Sequence, residues 1–361
     1  MSSVNSRSLK LKAGEWVWVR SKDEILATLD KNGRLEELPF MPQMLQYCGQ
    51  RLRVAKRAHK LCGTQHSTVS GTMNNAVVIE ELRCNGQGIG GCEAGCLFIW
   101  KEAWLKRADD TAQVTKSRLT TATGCTETDL WAAIKLPPSP DAVSLGPRYV
   151  CQATQMTAAT KPLPFWSIPH LIEDYTSGNQ RISTILGAIF FALYYRLAES
   201  GLGFGSAMRW LYDKVQGIRG ETPYVRRMGH LPMNSQTPTM KLDLQPGELV
   251  RIKSHSEILD TVNLSLMNRG MGFHPELVPF CGKTFQVKSH VRNIINEKTG
   301  HLMELKNPCI VLDGIHCGGY YTKPMFCTRD CYPYWREIWL ERIEDSSPAT
   351  LVQDSRLSRP E

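Results

Sequence analysis

The chain contains the same pattern of residues twice, once near each end. Residues 14–29 align with residues 247–262 at a constant offset of 233, and the aligned residues share Gly, Glu, Val, Ser, Glu, Ile, Leu and Thr. The alignment continues through each copy in these pairs: Phe40 with Phe273, Pro42 with Pro275, Cys48 with Cys281, Val54 with Val287, Cys84 with Cys317 and, after a two-residue insertion, Cys92 with Cys327, Cys96 with Cys331, Trp100 with Trp335 and Trp104 with Trp339. A repeat of this length predicts two duplicated domains, because the units of a solenoid are much shorter.

Each copy is predicted to be rich in β-strands. A run of β-branched and aromatic residues opens each copy, and a short amphipathic segment with acidic residues in its first turn follows it, which is typical of a helix start. Further strand-like runs occur at residues 51–55, 76–80, 285–288 and 309–313. The sequence therefore predicts an α+β fold in which two homologous small β-barrel modules, of SH3-like form, are joined by a helical segment.

The repeat and the composition between its copies divide the chain into five parts. They are module 1 at residues 12–108, a partly irregular linker at 109–171, a helical connector at 172–236, module 2 at 241–345 and a disordered tail at 346–361. The linker is rich in Thr, Pro, Ser and Ala, which disfavours regular structure. In the connector, apolar residues from Ile182 to Leu197 recur at helical spacing. This helix is expected to bury most of its circumference, either between the modules or at a subunit contact.

Composition and charge make secretion, a membrane span and nucleic-acid binding less expected for this chain. The first residues contain no apolar segment of the secretory kind, so a cytoplasmic location is expected. The most apolar stretch, residues 182–197, is too short for a membrane span. The net charge is +8, but basic and acidic residues are interspersed, so a nucleic-acid partner is unlikely on charge alone.

Twelve cysteines are many for a chain without an export signal, since reducing compartments disfavour structural disulfides. The candidate metal ligands are Cys62, Cys84, Cys92 and Cys96 in the first copy and Cys309, Cys317, Cys327 and Cys331 in the second. The last three of each set are equivalent by the alignment, and each trio spans a Gly-rich loop that allows sulfurs to converge. Structural zinc, with four N or S ligands, is the leading interpretation of this pattern.

The fourth ligand of each cluster stays open at this stage. Cys62 and Cys309 do not align with each other, and His59, His66 and His316 are substitutes. Buried free thiols, an iron–sulfur cluster and redox or catalytic thiols are the alternatives to zinc. Cys48 and Cys281 are expected to be core thiols, whereas Cys125 and Cys151 lack any ligand spacing.

Each copy closes with two tryptophans four residues apart, Trp100 and Trp104 or Trp335 and Trp339. Such aromatics could form a ligand cage, but burial of both indoles in the core is the favoured interpretation. The second copy also contains Tyr320, Tyr321, Tyr332 and Tyr334, which makes it the better candidate for binding a ligand.

Seven short segments carry a resemblance to a known family. They begin at Glu15, Leu38, Tyr47, Gly91, Arg148, Asn307 and Tyr334 and read EWVWVRS, LPFMP, YCG, GCEAGC, RYVCQAT, NPCIVLDG and YWREIWLER. Over nearly its full length the chain resembles a family of uncharacterised bacterial proteins found in polysaccharide and natural-product gene neighbourhoods. The resemblance implies a biosynthetic context and supplies no catalytic residues. The family commonly has His where this chain has Ile89, which argues against an essential ligand at that position.

Three functions compete at the level of sequence. The first is a binding or scaffold protein for an unknown protein or glycan, because the chain has no nucleophile elbow, Walker loop or dinucleotide fingerprint. The second is a metal- or thiol-dependent biosynthetic enzyme with its site near the second cysteine cluster. Candidate acid, base and anion-binding groups there are His316, Asp313, Asp330 and Arg329. The third is single-stranded nucleic-acid binding. A homo-oligomer formed through the central helix is compatible with each of them.

Overall fold

Two curled antiparallel sheets, one near each end of the chain, form the frame of this mixed helix-and-sheet protein. The computed structural model describes residues 8–63, 70–108, 124–137, 146–163, 168–219, 222–226, 228–321 and 325–343. We call residues 8–108 lobe 1 and residues 241–343 lobe 2. The predicted disordered tail, residues 346–361, and His66 lie outside the described residues.

The strands and helices of the described residues have the following bounds. The strands are β1 (Trp16–Val19), β2 (Arg34–Leu35), β3 (Leu38–Pro39), β4 (Arg51–Arg57), β5 (Lys60–Cys62), β6 (Ser70–Thr72), β7 (Ala76–Arg83), β8 (Leu97–Lys101), β9 (Leu105–Arg107), β10 (Lys161–Pro162), β11 (Leu249–Ile252), β12 (Met267–Asn268), β13 (Met271–Gly272), β14 (Thr284–Ile295), β15 (Leu302–Leu312) and β16 (Leu340–Arg342). The α-helices are α1 (Lys22–Leu26), α2 (Glu127–Ala133), α3 (Met156–Ala159), α4 (Ile168–Thr176), α5 (Ile182–Ala198), α6 (Gly205–Arg219) and α7 (His255–Leu259). Short 3-10 helices are Pro42–Tyr47, Glu102–Trp104, Pro275–Phe280 and Glu337–Trp339.

The sheet of lobe 1 has the strand order β8-β7-β4-β1-β9. Buried and exposed side chains alternate along β1, because successive side chains of a strand point to opposite faces of the sheet. Val17 and Val19 are buried, whereas Trp16 and Trp18 are 47% and 41% exposed. The sheet curls because the β4–β7 and β7–β8 ladders contain register shifts, which increase the local twist.

The sheet of lobe 2 has the order β15-β14-β11-β16 and repeats that plan. Strands β11, β14 and β16 occupy the positions of β1, β4 and β9 in the sequence alignment. The counterpart of β8 is reduced to one bridge between Ile310 and Trp335, which are equivalent to the paired Val77 and Trp100 of lobe 1. In the described residues the two main sheets therefore share their strand order, except that lobe 2 has a single bridge where lobe 1 has β8.

The closing tryptophans are core residues in both lobes, as expected. Trp100, Trp104, Trp335 and Trp339 have 0% exposed surface. The indole N–H of Trp104 donates to Thr28 Oγ1 at 3.1 Å, and that of Trp339 donates to the equivalent Thr261 Oγ1 at 2.9 Å. The indole N–H groups of Trp104 and Trp339 are thus satisfied within their own lobes, whereas the buried indole N–H groups of Trp100 and Trp335 have no hydrogen-bond partner among the described residues.

The described parts of the predicted linker pack against lobe 1. Cys125, Leu130, Ile134 and Met156 belong to its hydrophobic core. Helices α2 and α3 and strand β10 form in this region, so the irregular linker expected from composition contains more regular structure than predicted. The reason is packing: short apolar stretches between Pro- and Thr-rich runs find a partner surface on lobe 1.

The predicted central helix forms as α5, but its expected burial within the chain is wrong. One face packs on aromatic residues of its surroundings, with Phe191 against Tyr321 and Tyr195 stacked on Tyr224. The opposite face is open, with Leu186, Phe190 and Leu193 59%, 71% and 59% exposed. A subunit contact, the other alternative, stays a prediction. In the part of the chain that the structure describes, no helix has the length and apolarity to cross a membrane.

Candidate cysteine centres

Seven of the eight predicted ligand cysteines, together with Cys151, lie in two groups between the lobes. The first group is the thiol trio of lobe 1 with one thiol from the linker region. Cys84, Cys92, Cys96 and Cys151 line one cavity, which Ile295, Glu297 and Arg329 of lobe 2 close from the other side. We call these four cysteines centre 1.

The loop between β7 and β8 brings the trio of centre 1 together. Cys84 follows β7 directly, and its N–H donates to the carbonyl of Cys96 at 2.8 Å, which closes the loop. Gly86 has a φ of +75°, and a Cβ at this position would lie 2.3 Å from the carbonyl oxygen of Cys92. Only glycine fits there, so the Gly-rich sequence is a requirement of the loop that carries the thiols.

The fourth member of centre 1 is Cys151, which sequence reasoning missed. Its neighbour Gln152 holds the segment against the edge strand β8: the amide oxygen accepts the N–H of Ile99 at 2.8 Å, and the amide nitrogen donates to the carbonyl of Ile99 at 2.8 Å. The signal in the sequence was a buried-looking Val-Cys-Gln run, which contains no ligand spacing.

The second group, which we call centre 2, combines the trio of lobe 2 with a thiol of lobe 1. Cys317 N–H donates to the carbonyl of Cys331 at 2.9 Å, as Cys84 does to Cys96. Gly319, equivalent to Gly86, has a φ of +67° and leaves no room for a Cβ beside the backbone of Cys327. The loop architecture of centre 1 is therefore repeated.

The fourth member of centre 2 is Cys62, the last residue of strand β5 in lobe 1. Its Sγ lies 2.9 Å from Cys327 Sγ, and its N–H donates to the same sulfur at 3.1 Å. Cys331 and Cys317 are electrostatic neighbours of this pair. Centre 2 thus joins the two lobes: Cys62, a candidate ligand in the first copy of the repeat, lies beside the trio of the second copy.

A buried ion pair separates the two centres. Arg329 donates to Glu297 at 2.8 Å and to the carbonyl oxygen of Cys62 at 3.1 Å, and its side chain is 5% exposed. Arg329 also interacts electrostatically with Cys331 and Cys96, one thiol of each centre. A fixed positive charge between the centres favours negative charge on both groups of sulfurs.

Burial controls the ionisation of the thiols. It raises the pKa of Cys96 and of Cys331 to about 12 and that of Cys151 to about 11. Cys327 is the exception, because the hydrogen bond with Cys62 lowers the pKa of Cys327 to about 7 and raises that of Cys62. Most of these thiols are therefore neutral unless a cation stabilises their thiolates.

The donor set of each centre suits zinc, which four thiolates bind tetrahedrally. Within the described residues, however, no three of the sulfurs lie within 4.8 Å of one another. Coordination of one ion by four of them requires rotations of the cysteine side chains.

The other predicted residues lie apart from both centres or are already engaged. Cys309 is buried beside Met271, with the two sulfurs 3.4 Å apart, and does not join its trio. His316 Nδ1 lies 3.1 Å from a guanidinium nitrogen of Arg83. Asp313 pairs with Lys288 at 2.7 Å. Asp330 is 3.6 Å from Lys56 and Arg83. The remaining cysteines pack on the hydrophobic cores: Cys48, Cys125 and Cys281.

Comparison with known proteins identifies no relative. No family model matches the chain, and neither the curated proteins nor the solved structures contain a match. What can be said of function therefore comes from the two cysteine centres and their surroundings.

Proposed function

We propose that the protein is a binding or scaffold protein whose two lobes are held in a fixed arrangement by two metal centres. One observation carries the proposal: each aligned thiol trio is completed by a fourth cysteine from elsewhere in the chain, Cys151 in centre 1 and Cys62 in centre 2. Zinc is the proposed ion, since four cysteine thiolates are its usual structural ligands. Its partner is a protein or a glycan.

The metal would act mainly on the relative position of the lobes. Cys62 and Cys327 belong to different lobes, so an ion in centre 2 links them directly. In centre 1 the ion would fasten the linker segment carrying Cys151 onto lobe 1. Each thiol gives up its proton and binds the ion as a thiolate, so the high pKa values of these thiols make metal binding dependent on pH.

We further propose that the lobes are duplicated SH3-like modules that serve a bacterial biosynthetic context. The shared element order, the equivalent Trp–Thr hydrogen bonds and the equivalent Gly86 and Gly319 support the duplication. The biosynthetic context rests only on the resemblance of the sequence to the uncharacterised bacterial family.

Metal analysis of protein purified without added metal tests the function. The wild-type chain is expected to contain two equivalents of zinc in thiolate sites. Cys92→Ser and Cys151→Ser should each lose one equivalent from centre 1, and Cys327→Ser and Cys62→Ser one equivalent from centre 2, all with lowered thermal stability. Cys309→Ser is the matched control, because Cys309 is 2% exposed, as Cys327 is, but lies outside both centres. Loss of zinc from Cys309→Ser but not from Cys62→Ser would contradict the proposal.

A thiol-dependent enzyme is the second candidate, favoured by the 2.9 Å separation of the Cys62 and Cys327 sulfurs. Two thiols at this distance need only a small approach to form a disulfide when a disulfide substrate takes up their two electrons and two protons and is reduced to two thiols. If purified protein contains no metal and mass spectrometry under native conditions finds a Cys62–Cys327 disulfide that dithiothreitol reduces reversibly, this alternative replaces the metal-centre proposal.

A further inference from the structure

We propose a third metal site, separate from both cysteine centres, in which His59, His170 and Glu173 bind a divalent first-row transition ion such as Zn²⁺. Nitrogen ligands from two imidazoles and a carboxylate oxygen suit this class of ion, whereas Ca²⁺ and Mg²⁺ prefer oxygen ligands alone.

The fold brings the three side chains to one point. His59 lies in the short connection between β4 and β5, and His170 and Glu173 are three residues apart on one face of α4. Their ligand atoms all lie within 4.8 Å of one another. The two imidazole rings are nearly parallel, with centroids 6.0 Å apart and an interplanar angle of 14°. This spacing leaves room for an ion between donors that already converge.

The hydrogen bonds around the site leave lone pairs without donors. His59 Nδ1 lies 3.3 Å from the carbonyl oxygen of Arg57, while His59 Nε2 lies 3.3 Å from the carbonyl oxygen of His170 and 3.2 Å from Asp174 Oδ1. Both nitrogens therefore face oxygen acceptors, although a neutral imidazole has only one N–H to donate. His170 Nδ1 and Asp174 Oδ1 are buried and accept no hydrogen bond. A cation held by one nitrogen of His59, by His170 Nδ1 and by the Glu173 carboxylate would give the buried His170 nitrogen the partner that it lacks.

The net charge of the ion pairs around these three residues also favours a bound cation. The ion pairs here join three carboxylates, those of Glu102, Glu173 and Asp174, to two cations, Arg57 and Lys60. The cluster therefore carries one excess negative charge in a mostly buried setting, and Asp174 is fully buried. A bound cation can compensate this charge.

Titration of metal-free full-length protein with Co²⁺ tests the site without reference to the cysteine centres. A site of nitrogen and oxygen ligands gives cobalt d–d absorption without the sulfur-to-cobalt charge-transfer band that thiolates produce. We expect one equivalent of such sulfur-free binding in the wild-type chain. His170→Asn and Glu173→Gln should each abolish that equivalent and leave any charge-transfer band unchanged. His230→Asn is the matched control, because His230 also pairs with a carboxylate but is exposed and distant in sequence.

A second measurement keeps the test valid if a variant fails to fold. The ¹¹³Cd NMR spectrum of the wild-type chain should contain a resonance at the shift of nitrogen and oxygen ligation, far from that of sulfur ligation. Absence of this resonance, or Co²⁺ binding that is the same in His170→Asn as in the wild type, would overturn the third site. If the cysteine centres bind no metal, only the sulfur-to-cobalt charge-transfer band and the ¹¹³Cd resonance of sulfur ligation will be absent.

Discussion

Gln152 is the residue that positions Cys151 in centre 1. Its side chain is 6% exposed and bonds both backbone groups of Ile99 as well as the carbonyl oxygen of Pro39, at 3.1 Å. In this way one side chain takes the place of a neighbouring strand along the edge of the lobe 1 sheet.

Gln152→Ala should destabilise the protein by about 1–3 kcal/mol, because it leaves buried backbone groups of Ile99 unpaired. We also expect weaker metal binding at centre 1 and unchanged metal binding at centre 2. Urea denaturation and metal analysis provide the two readouts. Gln155→Ala serves as control, since that amide bonds only the neighbouring Thr154 side chain. Equal stability of the two variants would show that Gln152 does not anchor the segment.

His255 gives the protein a defined sensitivity to acid. Burial lowers the pKa of His255 from 6.5 to about 4. The unfolded chain therefore takes up a proton near pH 6.5, whereas the folded chain resists it until about pH 4. Stability from this group is intact above pH 6.5 and falls as the pH drops to about 4, by at most about 3 kcal/mol.

His255→Leu should flatten the pH dependence of stability in this window while leaving stability above pH 7 nearly unchanged. Thermal unfolding at half-unit steps from pH 4 to pH 8 measures the effect. His230→Leu is the control because His230 is exposed. An unchanged acid slope in His255→Leu would exclude His255 as its source.

At the scale of elements, the two lobes start their short helices with the same device. Ser21 caps α1 and Ser254 caps α7, and in both cases the Glu three residues later bonds back to the serine N–H. These capping boxes provide hydrogen-bond acceptors for backbone N–H groups that have no partner within a helix of five residues.

Ser21→Ala and Ser254→Ala should each cost about 1 kcal/mol of unfolding free energy. Equal losses in both variants are expected, because the geometry of the two caps is the same. Denaturant titration checks this result, with Ser256→Ala as a control inside α7 whose side chain is exposed. A loss in Ser256→Ala as large as in Ser254→Ala would assign the effect to the helix and not to its cap.

On the scale of the whole molecule, one face of α5 exposes a row of large apolar side chains. Leu186, Phe190 and Leu193 lie on it at helical spacing, together with Ile182 and Leu197, and each is about half exposed or more. A contiguous apolar surface of this kind marks a contact with another molecule.

We expect the chain to self-associate through this face. Phe190→Asp should convert the oligomer to a monomer without lowering the melting temperature of the monomer, because the side chain is 71% exposed. Light scattering coupled to size-exclusion chromatography measures the mass, and Thr284→Asp on the exposed surface of lobe 2 is the control. A wild-type chain that is monomeric at high concentration would contradict this prediction.

The sequence by itself determined the features that depend on neighbours along the chain. Capped helices, strands with period-two burial, buried tryptophans at the end of each copy and the equivalence of the two thiol trios all follow from local patterns and from the repeat. The helices between the lobes depend on tertiary packing as well, with Tyr194 of α5 against Tyr212 of α6.

Only the tertiary structure decided which residues complete the sites. Cys62 lies 265 positions from Cys327 in the chain, yet their sulfurs are 2.9 Å apart, whereas Cys309 packs beside Met271 and away from its own trio. His59 likewise meets His170 and Glu173 only because α4 packs against the connection between β4 and β5. Local patterns fix which residues share a strand or a helix face, but contacts between distant segments depend on how the lobes and helices pack, which no spacing in the sequence records.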